Sequence, residues 1–205
     1  MASPIPSLPE SAPFSVEQRA WLSGYMAGLL PGVLAASGAG PAMDAPQAQA
    51  APAGPRVPIL FGSQSGNAQG LAEQFGETLS ADGIAAPVVN MEDHGQVDLA
   101  QESRVLVVTS TWGEGEPPDN AAEFWNKLSA EDHPKLENLE FAVLALGDTN
   151  YADFCEMGKK FDARFEELGA KRMAPRVDCD VEFEEPADEW FAAVRSALKE
   201  AATPV

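Results

Sequence analysis

Val57-Pro58-Ile59-Leu60-Phe61-Gly62-Ser63-Gln64-Ser65-Gly66-Asn67-Ala68-Gln69-Gly70-Leu71 decides how this chain folds. An apolar run gives way to small hydroxyl residues, amides and Gly, and then to Leu71, Phe75 and Leu79 at helical spacing. A strand that passes through a tight loop into a helix leaves amide N–H groups unpaired at the positive end of the helix dipole, where an anion can sit. Between Arg56 and Arg104 there is no Lys or Arg, so a phosphate here is held by amides and hydroxyls alone. Nucleoside triphosphate chemistry relies on a loop Lys and a metal ion. This loop instead favours the terminal monophosphate of a bound cofactor, with Ser63, Gln64, Ser65, Gly66, Asn67 and Ala68 as its candidate ligands.

Outward from that loop, strand and helix patterns alternate. Strands are expected at 57–62, 84–91, 104–110, 139–146 and about 172–178. Helices are expected around Leu71, Phe75 and Leu79; Ala121, Phe124, Trp125 and Leu128; Phe161, Phe165 and Leu168; and Trp190, Val194 and Leu198. The runs at 104–108 and 141–146 are almost wholly apolar, as central parallel strands covered on both faces must be. Such alternation over about 150 residues indicates a doubly wound α/β domain, whose ligand lies beyond the carboxyl ends of the strands.

Two further loops therefore join the first. After the third strand come Ser110, Thr111, Trp112 and Gly113, followed by Glu114-Gly115-Glu116-Pro117-Pro118-Asp119-Asn120. After the fourth come Leu146, Gly147, Asp148, Thr149, Asn150, Tyr151, Ala152, Asp153, Phe154 and Cys155. Trp112 and Tyr151 offer an aromatic on each side of a flat ring, and stacking on each contributes about 0.5–1.5 kcal/mol beyond area burial. A tricyclic ring with a phosphorylated tail, as in FMN, fits that arrangement. The glycines Gly62, Gly66 and Gly70 lack the spacing of a Rossmann dinucleotide loop, and no Lys follows the fifth strand as a phosphoacceptor signalling domain requires.

The motifs Ser63–Ala68, Ser110–Ala121 and Leu146–Cys155 resemble the three FMN loops of the diflavin reductases, most closely those of the flavoprotein (alpha) subunits of NADPH-dependent sulfite reductases. The resemblance covers about 57–200, and Glu17–Tyr25 is similar too. It implies a flavodoxin-like parallel sheet of five strands in the order 2-1-3-4-5. Residues 63–68 would hold the FMN phosphate, Ser65 standing where many relatives carry Thr. Residues 110–113 would line one flavin face, with Trp112 where relatives carry Tyr or Gln, and residues 146–155 the other, with Tyr151 stacked on the ring. Gly113 would turn its carbonyl toward the flavin N5 on one-electron reduction, a peptide rotation that Gly makes cheaply. Electrons would arrive from NADPH through an FAD reductase domain. They would leave singly for a haem or iron–sulfur acceptor such as the sulfite reductase hemoprotein. This chain would be the FMN module of that oxidoreductase and an electron carrier without an NADPH site of its own. It would be either a piece of a longer protein or a separate subunit. The alternatives are a stand-alone flavodoxin-like carrier and an NAD(P)H:quinone oxidoreductase on the same fold.

Composition agrees with these expectations. The net charge of −19 over 205 residues disfavours nucleic acid and anionic membranes and favours basic redox partners. Two cysteines, Cys155 and Cys179, without metal-ligand spacing suit reduced thiols in a cytoplasm. No side chain is required as acid, base, nucleophile or metal ligand. Residues 32–55 hold nine Ala, four Gly and four Pro, with Asp44 the only charge, a composition that makes a linker rather than a core. Before it, residues 1–31 contain a helix pattern, Trp21, Leu22, Tyr25, Met26, Leu29 and Leu30, opened by Ser15 and Gln18 and stopped by Pro31. That helix is expected to pack on a partner or sister subunit. The other readings are docking back on its own domain and a signal or membrane segment, which Glu10, Glu17 and the interruptions at Gly24, Gly28 and Pro31 oppose. Residues 56–205 are expected to form the FMN domain. Asp178, Asp180, Glu182, Glu184, Glu185, Asp188 and Glu189 form an acidic run without a base, open to two readings: a solvated face, or a docking rim joined by Glu114, Glu116 and Asp119.

Overall fold

The structure is a computed structural model and describes residues 55–202; the expected N-terminal helix and all but the last residue of the expected linker lie outside the described residues. Strand β1 (Ile59–Gly62) leads through the first loop into α1 (Asn67–Ala81), then β2 (Val88–Asn90) and a 3₁₀ turn at Met91–Gln96. Next come β3 (Arg104–Ser110), a 3₁₀ turn at Asp119–Ala121, α2 (Ala122–Leu128), β4 (Glu140–Leu146) and α3 (Glu156–Glu167). Two short strands, β5 (Lys171–Arg172) and β6 (Val177–Cys179), precede α4 (Glu184–Ala202). All pairings are parallel, in the order β2-β1-β3-β4-β5, with β6 also on β4.

Side-chain alternation along the central strands fills two cores. Leu106, Val108, Ala142 and Leu144 point to the layer holding α1 and α4, where Phe75 stacks on Phe191 at 4.1 Å and meets Trp190 at 6.0 Å. Val105, Val107, Phe141 and Val143 point the other way, to α2 and α3, where Phe141 stacks on Phe165 at 5.1 Å and Trp125 meets Phe161 edge-on at 5.2 Å. Both faces are covered, which is why the strand sequences carry no polar alternation. Trp190 belongs to the core as expected, and Trp125 is partly buried against it.

Proline shortens the two outer elements relative to the sequence reading. The expected strand 84–91 is regular only over Val88–Asn90, because Pro87 has no N–H to give the ladder. Its carbonyl still accepts from Ile59 N–H at 2.9 Å, and Arg56 and Ala85 form an isolated bridge beyond it. The fifth strand, expected as one run over 172–178, is two pieces. Arg172 pairs with Phe141 and Val177 with Leu144, so the fifth strand advances five residues (172 to 177) while β4 advances three (141 to 144). The two surplus residues bow out at Pro175. Asp162, buried on α3, pins the bow from both sides, to Arg172 at 2.8 Å and Arg176 at 3.0 Å.

At the far end of the molecule Asp82, just past α1, pairs with Arg195 and, at 3.3 Å, with Lys199 on α4. The Arg195 guanidinium first, then Lys199, holds the Asp82 carboxyl at about 2 against an ordinary 3.8. A carboxyl depressed on folding contributes stability above its unfolded value and loses it as pH falls through the folded one. Arg195→Met is therefore expected to lower the urea midpoint relative to wild type above about pH 4, with the difference closing as pH falls from 3.8 toward about 2. A difference that stays constant across that window would place the effect elsewhere than in this pair.

Candidate functional site

Loops after β1, β3 and β4 meet at the carboxyl end of the sheet around a cavity of about 390 Å³, within the range that small-molecule sites occupy. Gln64, Ser65 and Asn67 line it from the first loop, Ser110, Thr111, Trp112 and Gly113 from the second, and Leu146, Gly147, Asp148, Tyr151, Asp153, Phe154 and Cys155 from the third. Of the residues expected at the site, Ser63, Gly66, Ala68, Thr149, Asn150 and Ala152 do not line the cavity. Ser63 and Gly66 build the loop, Ser63 Oγ accepting from Gly66 N–H at 3.0 Å. Ala68 is fully buried in the core under α1.

The first loop is an anion cradle in its backbone geometry. Gly66 takes φ +91° at the N-cap, a left-handed conformation that favours Gly. The first turn of α1 closes with Gly70 N–H on Gly66 O at 2.9 Å, so the amides of Ser65, Asn67 and Ala68 have no acceptor among the described residues. No Lys or Arg lines the cavity. Two neighbours hold the cradle: Asn120 Oδ1 accepts from Ser63 N–H at 3.0 Å, while Gln64 Oε1 accepts from Asp119 N–H at 3.1 Å and its Nε2 donates to the Asp119 carboxylate at 3.3 Å. Asp119, grouped with the docking rim in the sequence reading, thus faces the phosphate loop.

In the second loop Trp112 and Glu116 exchange backbone hydrogen bonds at 2.9 and 2.8 Å, a tight loop turned by Gly113 and Gly115 at φ +54° and +84°. Thr111 lines the cavity, yet its hydroxyl also accepts from Met157 N–H at 3.1 Å and caps α3. Lys160 donates to Gly115 O at 3.0 Å. Trp112 is 55% and Tyr151 65% exposed, two large aromatics open to solvent at a cavity rim rather than packed in the core.

The third loop closes on itself through Asp148. Asp148 Oδ1 accepts from Asn150 N–H at 2.8 Å, and Tyr151 N–H bonds Asp148 O at 3.1 Å. Gly147 admits no side chain, since a Cβ there would lie 2.9 Å from the amide nitrogen and Sγ of Cys155. Cys155 and Cys179 are buried free thiols. Burial first, then Asp178, pushes Cys155 up to about 12 and Cys179 up to about 11, so both stay protonated and inert at neutral pH.

Val181 and Phe183 also line the cavity and escaped the sequence reading, being set in an acidic run with no motif of their own. That run divides by role. Asp178 pairs with Arg176 at 2.7 Å, Asp180 accepts from Thr149, and Glu184 and Glu185 begin α4, where the helix dipole favours acids. His94 and His133 bond nearby carbonyls, and no group of potential metal ligands occurs among the described residues. No described helix is long and apolar enough to cross a membrane.

The chain belongs to the flavodoxin family, whose model matches residues 59–190, a class of electron carriers whose cofactor is FMN. Within that class it is similar to the sulfite reductase [NADPH] flavoprotein alpha-component of Bacillus subtilis (strain 168), 46% identical over 197 residues that take in 96% of this chain and 32% of that protein. The corresponding component of Neisseria meningitidis (strain FAM18) is 42% identical over 205 residues, 97% of this chain and 33% of that one. The chain spans about a third of the length of these curated relatives. Among solved structures, a flavodoxin of Streptococcus pneumoniae TIGR4 superposes with TM-score 0.60 at 26% identity, covering 71% of this chain and 99% of that one. A cysteine-to-serine mutant of Pseudomonas aeruginosa flavodoxin gives 0.60 at 32% identity, covering 70% and 99%.

Proposed function

We propose that this chain is the FMN module of a sulfite reductase (NADPH) flavoprotein and relays electrons from an NADPH/FAD reductase domain to a haem or iron–sulfur acceptor such as the sulfite reductase hemoprotein. One observation carries the reading: a cation-free loop of unpaired amides opens onto the same cavity as two exposed aromatics. Residues Ser63, Gln64, Ser65, Gly66, Asn67 and Ala68 form the phosphate loop. The open amides of Ser65, Asn67 and Ala68 and the Ser65 hydroxyl hold the phosphate, while Ser63, Gln64 and Gly66, whose amides bond within the protein, shape the loop around it. Trp112 and Tyr151 take opposite faces of the ring, and Gly113, already left-handed at φ +54°, supplies a carbonyl free to rotate. FMN, when bound, supplies redox chemistry in both one-electron and two-electron steps. The acidic surroundings and the aromatic walls disfavour added negative charge in the site and so strengthen the bound cofactor as a donor. Trp112 and Tyr151, both exposed, leave the site within reach of a partner.

We place the domain from residue 56, behind the Ala/Gly/Pro-rich sequence of 32–55, and assign the apolar sequence pattern of residues 1–31 to assembly with a partner or sister subunit. Two buried reduced thiols support a cytoplasmic setting.

Glu114 and Glu116 are exposed beside Trp112, and a negative rim steers a basic partner at low ionic strength. Glu114→Lys with Glu116→Lys is expected to slow electron transfer from the reduced chain to sulfite reductase hemoprotein about tenfold at low salt, the gap closing near 0.5 M salt. Stopped-flow mixing measures it. Equal rates for both proteins at low salt would remove this rim from the docking face, and no transfer to the hemoprotein by wild type would remove the proposed acceptor.

A further inference from the structure

Tyr151 makes no side-chain hydrogen bond among the described residues and is 65% exposed, so its aim at the cavity is set by the turn that carries it. That turn is short, Asp148 to Tyr151, and closes on itself through Asp148. Its outward anchor lies 31 residues further along the chain. Asp180 Oδ1 accepts from Thr149 N–H at 3.0 Å and from Val181 N–H at 2.8 Å, while Oδ2 accepts from the Thr149 hydroxyl at 2.5 Å. One residue earlier, Cys179 O accepts from Gly147 N–H at 2.9 Å and from Cys155 Sγ at 3.5 Å. Cys179 and Asp180, at the end of β6, thereby grip the third loop at its start, its turn and its end.

We propose that Asp180 is a positioning residue for the flavin site: through Thr149 it fixes the turn that presents Tyr151, and the segment from Cys179 to Phe183 acts as a fourth wall. The proposal rests on the FMN reading above. Three donors converge on one carboxylate, and hydrogen bonds to an ionised acceptor are about twice as strong as neutral ones. These bonds hold the Asp180 carboxyl below its ordinary value, the Thr149 side chain contributing most. A loop ordered before the ligand arrives spares the ligand the entropy of ordering it. Asp180 is therefore committed inward and is not a free charge on a docking rim.

Asp180→Ala and Thr149→Val in the full chain, freed of flavin, test this. Asp180→Ala is expected to raise Kd about tenfold for FMN and by the same factor for riboflavin, because the defect lies at the ring and not at the phosphate. Thr149→Val should weaken both flavins in the same sense, and the double variant should bind no worse than Asp180→Ala. Thr149→Ser, which keeps the donor, should bind like wild type. In the flavin-free Asp180→Ala chain the Thr149 amide should exchange its hydrogen about tenfold faster, with β3 and β4 protection unchanged. Asp180→Ala binding both flavins within twofold of wild type would overturn the proposal. So would a loss confined to FMN, or fully additive effects in the double variant. Faster exchange throughout the sheet would make Asp180 a general stabiliser and overturn its positioning role. Wild type that binds neither flavin would instead remove the FMN reading itself.

Discussion

Ser65→Asp is expected to weaken FMN binding about a thousandfold while changing riboflavin affinity by less than about threefold. Ser65 lines the cavity at the crown of the first loop, next to the unpaired amides. The cradle has no Lys or Arg to offset an added charge. A carboxylate about 6 Å from a phosphate carrying about −1.5 charges, at an effective dielectric of about 20, is repelled by about 4 kcal/mol. That corresponds to about three decades in Kd. Ser65→Ala removes one hydroxyl and should cost only about 0.5–1.5 kcal/mol. Fluorescence titration with both flavins separates the cases. A Ser65→Asp chain that loses riboflavin as severely as FMN would show that the phosphate lies elsewhere.

Gly158→Val is expected to lower stability by about 3 kcal/mol or more and the melting point by about 10 °C. Gly158 lies in the first turn of α3, straight after the third loop, and a Cβ there would overlap the Cβ of Ala145, a fully buried residue of β4. The next neighbour is the Ala145 backbone at 3.2 Å, which cannot turn aside, so α3 must withdraw from the sheet. Withdrawal moves the cap that Thr111 gives Met157 and the loop that carries Tyr151, so flavin affinity should fall with stability. Gly158→Ala meets the same clash, but its better helix propensity returns up to about 1 kcal/mol. Urea unfolding of the flavin-free chain checks both. A Gly158→Val midpoint equal to wild type would mean that helix and strand are not in contact here.

The central strands and the three cofactor loops are legible in the sequence because each follows from chain-local chemistry. The runs at 105–108 and 141–146 are apolar on both faces because both faces are covered. Gly66, Gly113 and Gly115 mark backbone turns that require positive φ. What escapes the sequence depends on partners far along the chain. The break in the fifth strand has Pro175 as its only local sign, and its real support is Asp162 on α3. Asp119 and Asp180 look like their acidic neighbours, yet one clasps Gln64 across 55 residues and the other Thr149 across 31. Val181 and Phe183 carry no motif, and only the closing of the fifth strand against the third loop brings them to the cavity.

Titration of the flavin-free chain with FMN, followed by flavin fluorescence, tests the central claim most directly. Quenching that saturates at one FMN per chain, and that excess inorganic phosphate relieves in part, is the expected result: an amide cradle takes the phosphate while Trp112 and Tyr151 enclose the ring. Fluorescence that stays at the level of free FMN through a large excess of protein would contradict it.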